Sequence, residues 1–232
     1  MQCHNNLKQT SLAMHSFHDI HQYCPPATLY ELSPPEQSLS WLVALLPYVE
    51  QDALYGRIDL EKGWQEKENQ DAARTMVPTF SCPSHPNLGG QGEPYLASYV
   101  GMAGVGVDAP WLPLGDPRAG FFGYQRRITF KDVTDGTSNT MMIIETGFQN
   151  GPWTAGGFPT VRGIDEEDAP FIGEGKQFGI KHRSDKFFRT NPLLALAAMG
   201  DASCRTLSES IQPETLRAMA TIAGGEPNNF ND

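Results

Sequence analysis

The sequence predicts an α+β fold in which an N-terminal helix packs on an antiparallel β-sheet that carries long loops. Two observations indicate this class. Helical patterns occupy the first third of the chain and its end, and short apolar runs separated by Gly and Pro lie between them. Hydrophobic residues make up 39% of the 232 residues, which is enough for a core, while 23 glycines and 18 prolines predict much irregular chain.

Four segments are predicted to be helical. Residues 4–22 come first, and Pro25-Pro26 ends that helix. Its apolar residues share one side and are Leu7, Ala13, Met14, Phe17 and Ile20. Residues 38–56 form a second helix, kinked at Pro47, and residues 62–75 form a polar surface helix. Pro213 opens a closing helix that runs to about residue 223.

Apolar runs in the rest of the chain predict strands at 77–81, 96–102, 126–130, 139–146 and 193–199. The last two are apolar enough to be buried on both faces of the sheet. Residues 105–124 and 147–176 are predicted to be long loops, and loops of that length in a compact domain usually carry interaction surfaces.

The charge pattern and the motifs narrow the classes of function. A net charge of −10 repels phosphate backbones, so nucleic acid is not an expected partner. The sequence contains no G-x-S-x-G, H-E-x-x-H or P-loop motif. His182 with Asp185 or Asp201 is a conceivable general-base pair, but no nucleophile motif accompanies it. We therefore expect a protein that is not an enzyme and has no catalytic residues.

The run from Asp132 to Asn139 has the most metal-like chemistry. Asp132, Asp135, Thr137 and Asn139 crowd oxygen atoms into a Gly-containing turn, as calcium sites do, although the spacing is not that of an EF-hand. In the alternative, the carboxylates cap turns and the hydroxyl satisfies backbone amides, which is the commoner use of such residues. Calcium is thus the one cofactor that the sequence suggests.

Four aromatic residues lie in or beside Gly-rich loops: Trp111, Tyr124, Trp153 and Phe158. Exposed, such rings can stack on sugar rings and form a ligand-binding surface. Buried, they anchor loops that lack regular structure. The sequence favours the anchoring role, because large aromatic side chains usually supply burial.

Four cysteines, Cys3, Cys24, Cys82 and Cys204, form no C-x-x-C pair, which argues against a zinc ribbon or a thioredoxin-type site. Their number in an acidic, loop-rich chain fits an oxidising compartment and up to two disulfides. Four buried, reduced thiols are the alternative.

Several segments, taken together, resemble a large bacterial family of unknown function, domain of unknown function 1559, whose members carry a prepilin-type cleavage and methylation segment. The resemblance covers essentially the whole chain in the family's order. It is carried by Cys3-His4-Asn5-Asn6-Leu7-Lys8-Gln9, Leu45-Leu46-Pro47-Tyr48, Phe80-Ser81-Cys82-Pro83-Ser84, Ser98-Tyr99-Val100-Gly101 and the run from Asp132 to Thr140 that leads to Glu145.

The resemblance implies a type IV pilin-like plan. Residues 1–24 would be the end of a spine helix whose apolar part, missing here, anchors the precursor in the inner membrane. Residues 25–76 would be a helical insertion, and 77–232 the sheet head with its long loops and closing helix. The implied function is a structural subunit of a type II secretion or type IV pilus-like assembly, with its head periplasmic or extracellular. Other pilin-like subunits would bind through the missing helix. The alternative is a membrane-anchored surface module that binds polysaccharide or another solute.

The resemblance also bears on the cysteines and shows two departures, one in the last hairpin and one at His85, which stands where the family's Pro-Ser segment usually continues with Asp. Cys3 and Cys82 lie where the family often has Cys, and Cys24 and Cys204 are extra, which implies the pairs Cys3–Cys82 and Cys24–Cys204. The family's last hairpin has His, a short spacer and Asp-Gly. Here the spacer after His182 is longer and Ala202 follows Asp201, so the preference of the turn for Gly is not met.

Overall fold

The computed structural model describes residues 2–29, 34–85, 87–124, 126–182 and 193–225. Its centre is a β-sheet between two helical layers. The long N-terminal helix lies on one face and a short C-terminal helix on the other. The predicted α+β class is confirmed.

Five α-helices are present in the described residues: α1 (Gln2–His21), α2 (Trp41–Ala44), α3 (Asp52–Tyr55), α4 (Lys67–Ala73) and α5 (Pro213–Ala220). Helix α1 confirms the first prediction and ends where Gln22 adopts a left-handed φ of 64°. It buries Leu7, Met14 and Phe17 against the sheet side. Ile20, predicted for the same apolar side, is instead 68% exposed.

The predicted helix 38–56 is broken into pieces. A 3-10 turn (Leu46–Val49) separates α2 from α3. Pro47 stands at the start of that turn, where its missing N–H does no harm, and Glu50 ends it in the left-handed region at φ 61°. The polar segment 62–75 contains α4, and α5 is shorter than predicted.

Ten strands occur in the described residues: β1 (Thr28–Leu29), β2 (Leu39–Ser40), β3 (Gly89–Gly90), β4 (Glu93–Tyr95), β5 (Tyr99–Val105), β6 (Met141–Glu145), β7 (Val161–Ile164), β8 (Ile180–Lys181), β9 (Leu193–Met199) and β10 (Cys204–Ser208). The main sheet has the order β10-β9-β6-β5-β7, and β8 also pairs with β9. The pairs β1-β2 and β3-β4 are separate two-stranded ribbons.

The sheet is mixed, which corrects the predicted antiparallel sheet. Strands β5 and β7 run parallel, with Gly101 opposite Val161, while the other pairs are antiparallel. Strand β7 falls inside the predicted loop 147–176, because a run as short as Val161–Ile164 that contains an arginine and a glycine gives no strand pattern. Gly163 is needed there, since a Cβ would lie 2.0 Å from the carbonyl oxygen of Gly106.

The other strand predictions have mixed outcomes. Strand β9 occupies the predicted 193–199, β6 lies within 139–146 and β5 overlaps 96–102. Residues 126–130 contain no strand, and β10 was missed. Residues 77–81 contain a 3-10 turn (Pro78–Phe80), because the side chains of Asn6 and Thr10 in α1 donate to the carbonyl groups of Pro78, Thr79 and Ser81, which a strand would use for pairing.

Strand β9 is buried on both faces, as predicted. Leu196 and Ala198 pack in the cluster beneath α1. Ala195, Ala197 and Met199 pack in the cluster beneath α5. The alternation of small side chains therefore lets both helical layers approach the sheet closely.

The hairpin that joins β9 to β10 forms with alanine in the place of glycine. Ala202 has φ 61°, a region that costs a residue with a Cβ roughly 1–2 kcal/mol. Hydrogen bonds hold the turn: Ala202 N donates to Met199 O at 2.9 Å and Met199 N to Ser203 O at 2.8 Å. The Lys8 ammonium of α1 donates to the Ala202 carbonyl.

Within the described residues, no helix combines the length and the apolar character that a bilayer crossing requires.

We expect Ala202→Gly to leave the free energy of unfolding unchanged or to raise it by up to about 1 kcal/mol, because relief of the left-handed strain offsets the lost methyl burial. Ala197→Gly is the matched control, since it removes an equally buried methyl group from the extended strand β9. It should lower the free energy of unfolding by about 1–2 kcal/mol. Urea titrations of both variants make the comparison, and equal losses would contradict the prediction.

Candidate functional site

A cleft of about 650 Å³ lies beside strand β7 and brings three of the four predicted aromatic residues together. Trp111, Tyr124 and Phe158 all line it. Trp111 is 54% exposed and Phe158 39% exposed, which is unusual for side chains of that size. A concave surface of this volume with exposed aromatic rings has the form of a ligand site.

Trp111 and Tyr124 form one wall of the cleft. Trp111 ends a 3-10 turn (Ala109–Trp111), and the backbone N–H of Tyr124 donates to Pro110 O at 2.8 Å. The two rings meet edge to face with centroids 4.6 Å apart. Burial raises the pKa of the Tyr124 hydroxyl, and the nearby Glu36 carboxylate adds to the rise. Tyr124 is therefore a neutral support for the more exposed indole.

Arg126 holds the loop that carries this wall. Arg126 is 5% exposed, and its guanidinium donates to backbone carbonyls. The acceptors are those of Ala103, Ala109, Leu112, Gly120 and Phe122. Burial lowers the pKa of Arg126 to about 10. One side chain thus joins the loop carbonyls to β5, and the carbonyls of Ala103 and Ala109 accept a backbone N–H as well.

Arg162 of β7 fixes the opposite wall in a similar way. It is 1% exposed and its guanidinium carbon lies 4.3 Å from the centre of the Phe158 ring. Its Nε donates to Phe158 O at 3.0 Å and another nitrogen donates to Gln149 O at 2.8 Å. Burial lowers the pKa of Arg162 to about 10. The Phe158 ring is therefore held both by stacking and by its own backbone.

Four carboxylate side chains lie beside the aromatic walls of the cleft. Glu36, Asp165, Glu167 and Asp168 all line the cleft. Asp168 pairs with Lys176 at 2.9 Å, and Asp165 accepts a hydrogen bond from the Glu167 N–H at 3.1 Å. The cleft therefore offers apolar ring faces to stack on a ligand and carboxylate oxygens to accept hydrogen bonds from its hydroxyl or ammonium groups.

Trp153, the fourth predicted residue, lies elsewhere. It is 1% exposed and packs against Phe80 with ring centroids 5.8 Å apart. Its indole N–H donates to Thr75 O at 3.0 Å. Trp153 therefore has the anchoring role that the sequence favours for these residues.

The carboxylates of the predicted calcium turn are used by the backbone. Asp132 accepts from Thr129 N at 2.7 Å and caps the 3-10 turn Phe130–Asp132. Asp135 accepts from Gly224 N at 2.7 Å and so ties the turn to the chain after α5. Asn139 donates to Asp135 O at 3.1 Å, and Thr137 O accepts from Asp201 N at 3.0 Å. These are turn-capping roles, and calcium binding here stays a prediction.

The cysteines follow one of the two predicted pairings. Cys3 and Cys82 are joined in a disulfide, whereas Cys24 and Cys204 are free thiols, which corrects the second pair. Cys24 follows the C-terminal end of α1. Cys204 lies near Lys8, which is in the first half of α1. The stretch from Lys8 to the end of α1 spans roughly 20 Å at 1.5 Å per residue, well beyond the reach of a disulfide.

The two free thiols should differ in reactivity. Burial raises the pKa of Cys24 to about 12, and Cys24 is 2% exposed. Burial also raises the pKa of the half-buried Cys204 thiol, although Lys8 opposes the rise. We expect iodoacetamide to modify Cys204 slowly in the native protein and Cys24 only after unfolding, because the thiolate is the reactive form.

Mass spectrometry of tryptic peptides measures both sites, and labelling in urea without reductant is the control. A Cys24–Cys204 disulfide would leave both thiols unlabelled in urea, which would contradict the free-thiol arrangement.

His182 pairs with a residue that the sequence analysis did not assign to it. Its Nε2 lies 2.7 Å from a carboxylate oxygen of Glu145, at the end of β6. Asp185 lies outside the described residues, and Asp201 accepts a hydrogen bond from Ser203 N at 2.8 Å. The sequence does contain a signal for this pair. Glu145 ends the otherwise apolar strand Met141–Glu145, so it is buried with that strand and needs a partner.

The fold and the cleft together define an α+β protein in which an N-terminal helix packs on a mixed sheet with a loop-built cleft at its edge. The chain belongs to the family described as a protein of unknown function (DUF1559), whose model matches residues 1–214. No curated protein and no solved structure compared with the chain matches it.

Proposed function

We propose that this chain is the head of a pilin- or pseudopilin-like structural subunit of a type II secretion or type IV pilus-like assembly, displayed in the periplasm or on the cell surface. The observation that carries the proposal is the position of α1. The helix lies across β6, β9 and β10 on one face of the sheet, which is the relation between spine and head that a pilin plan requires.

The outer stripe of α1 supports the same proposal. It consists of the exposed residues Asn5, Gln9, Leu12, Ser16 and Ile20, spaced three or four apart. Two of these are large apolar side chains, Leu12 at 48% and Ile20 at 68% exposure. In our proposal this stripe packs against the helix of a second copy, so that subunits associate side by side along their helices.

The inner side of α1 is fixed firmly enough to transmit force to the head. The disulfide Cys3–Cys82 joins it to the segment after the 3-10 turn Pro78–Phe80. The Asn6 amide donates to Pro78 O at 2.8 Å and to Ser81 O at 2.7 Å. A subunit that assembles through its helix needs such a connection, because a pull on the helix must not separate it from the sheet.

We expect Leu12→Glu or Ile20→Glu to reduce assembly at least about tenfold, because burial of a large aliphatic side chain contributes roughly 1.5–3 kcal/mol and a buried carboxylate costs more. The measurement is the ladder of oligomers after formaldehyde crosslinking of the bacteria that make the protein. Leu114→Glu is the control, since Leu114 is 47% exposed and lies away from α1 in the loop between β5 and β6. Unchanged ladders in the α1 variants, or a wild-type protein that never crosslinks to itself, would refute the proposal.

Ligand binding at the cleft is the second candidate, and the convergence of Trp111, Tyr124 and Phe158 favours it. The proposed ligand is a polysaccharide, because its rings present flat C–H faces to aromatic side chains and its hydroxyl groups can donate to the surrounding carboxylates. The head would then be a membrane-anchored surface module that captures this polymer.

We expect Trp111→Ala to weaken glycan binding by about tenfold or more, because binding hot spots are enriched in Trp and their truncation costs about 2 kcal/mol or more. A glycan array selects the ligand, and calorimetric titration gives the affinity. Leu114→Ala, an exposed apolar residue outside the cleft, should bind like the wild type. The candidate fails if no glycan binds, or if both variants lose affinity equally.

A further inference from the structure

Four side chains with metal-binding chemistry meet on the α1 face of the sheet. They are Cys3, Cys82, Glu145 and His182, and one ligand atom from each lies within 4.8 Å of all the others. They come from the start of α1, the segment after the 3-10 turn Pro78–Phe80, the end of β6 and the residue after β8. We call this set the Cys-Glu-His cluster.

The cluster is closed on three sides. Cys82 and Glu145 are fully buried and Cys3 is 7% exposed, while His182 is 20% exposed and forms the open side. Such a position excludes most water and leaves one path for a small ion. It also means that each polar atom in the cluster needs a partner within it.

Glu145 is the unexplained member. One of its oxygens lies 2.7 Å from His182 Nε2 and accepts a hydrogen bond from Leu196 N at 3.3 Å. Its other oxygen, Oε1, is buried and accepts no hydrogen bond within the described part of the chain. A fully buried carboxylate with an unused oxygen destabilises a fold, so its presence here points to a further partner.

The donor set identifies the kind of partner. Two thiolates, one imidazole and one carboxylate are the ligands that zinc takes in four-coordinate sites, with bond lengths of about 2.0–2.3 Å. Ligand atoms of such a tetrahedron stand roughly 3.3–3.8 Å apart. The Cys3 and Cys82 sulfurs, bonded at 2.01 Å in the disulfide, would have to move apart on reduction, while the Glu145 and His182 atoms lie 2.7 Å from each other, and all four atoms lie within 4.8 Å of one another. The thiolates favour zinc over calcium or magnesium.

We propose that the Cys-Glu-His cluster is a zinc site in the reduced protein, and that the Cys3–Cys82 disulfide and the zinc ion are alternative occupants of it. In either form α1 stays fastened to the segment after the 3-10 turn Pro78–Phe80, by a covalent bond in one and by the metal in the other. The attachment would therefore survive passage between reducing and oxidising surroundings.

Conversion of the disulfide into the zinc-bound form is a two-electron reduction. A dithiol reductant supplies two electrons and two protons, the Cys3–Cys82 bond breaks to give two thiols, and the reductant becomes a disulfide. Zinc then binds both sulfurs, and the two thiol protons are released to solvent. An external disulfide reverses the process by taking up two electrons and two protons as the protein disulfide re-forms and zinc leaves.

The test uses the full chain, reduced with a phosphine and freed of metal, and titrated with Co²⁺ as a spectroscopic probe and then with Zn²⁺. One equivalent of Co²⁺ should bind and give the visible bands of a tetrahedral ion together with a thiolate-to-cobalt charge-transfer band, and Zn²⁺ should displace it. The oxidised chain should give neither band, because the sulfurs are then bonded to each other.

Two variants test the ligands outside the disulfide. Glu145→Gln and His182→Ala should each weaken Zn²⁺ binding by at least about tenfold, since even groups that only orient metal ligands have effects of that size. Both keep the cysteines, so their folding can be checked by circular dichroism in the oxidised form before reduction. Cys204→Ser, which removes a thiol outside the cluster, should bind Zn²⁺ like the wild type.

Besides the cobalt spectrum, unfolding of the reduced chain without metal and its refolding with one equivalent of Zn²⁺ would also support the proposal. It is overturned if the reduced chain binds no Zn²⁺, if the cobalt spectrum lacks the thiolate band, or if Glu145→Gln and His182→Ala bind as tightly as the wild type.

Discussion

The attachment of α1 to residues 78–82, which in turn bond to the start of β5, is the constraint on which the rest of the structure depends. The Cys3–Cys82 disulfide and the Asn6 amide fix that segment to the helix. On its other side, Ser98 Oγ accepts a hydrogen bond from Cys82 N at 2.9 Å, and the Tyr99 hydroxyl donates to Cys3 O at 2.9 Å. Strand β5 begins at Tyr99, so the central strands take their position from these contacts.

Two buried arginines hold in place the loops that contain little regular structure. Arg126 and Arg162 each donate to several backbone carbonyls and have no carboxylate partner among the hydrogen bonds of the described residues. A guanidinium has five N–H donors in a fixed plane, so it can replace the ladder of bonds that a strand would provide. The aromatic walls of the cleft are firm for this reason, although their loops are rich in glycine.

Prediction from the sequence worked where local pattern decides structure and failed where distant contacts do. Helix α1 and strand β9 have strong local patterns, and both were found. The sequence of the Pro78–Phe80 turn resembles a strand, and only the hydrogen bonds from Asn6 explain why it is not one. Strand β7 lacks an apolar pattern because it contains Arg162, whose burial is made possible by hydrogen bonds to backbone carbonyls outside the strand. The aromatic residues of the cleft were identified by type, but their meeting in space depends on the crossover that brings β7 beside β5.

The two candidate functions use different parts of the sheet and are therefore compatible. Helix α1 covers β6, β9 and β10, and its exposed stripe faces away from them. The cleft is lined by residues of β7, which ends the strand order at the opposite edge. A subunit that packed against its neighbours through α1 would leave this edge open to solvent. Assembly along one side and capture of a ligand on the other would then be properties of one molecule, with the disulfide-linked core between them.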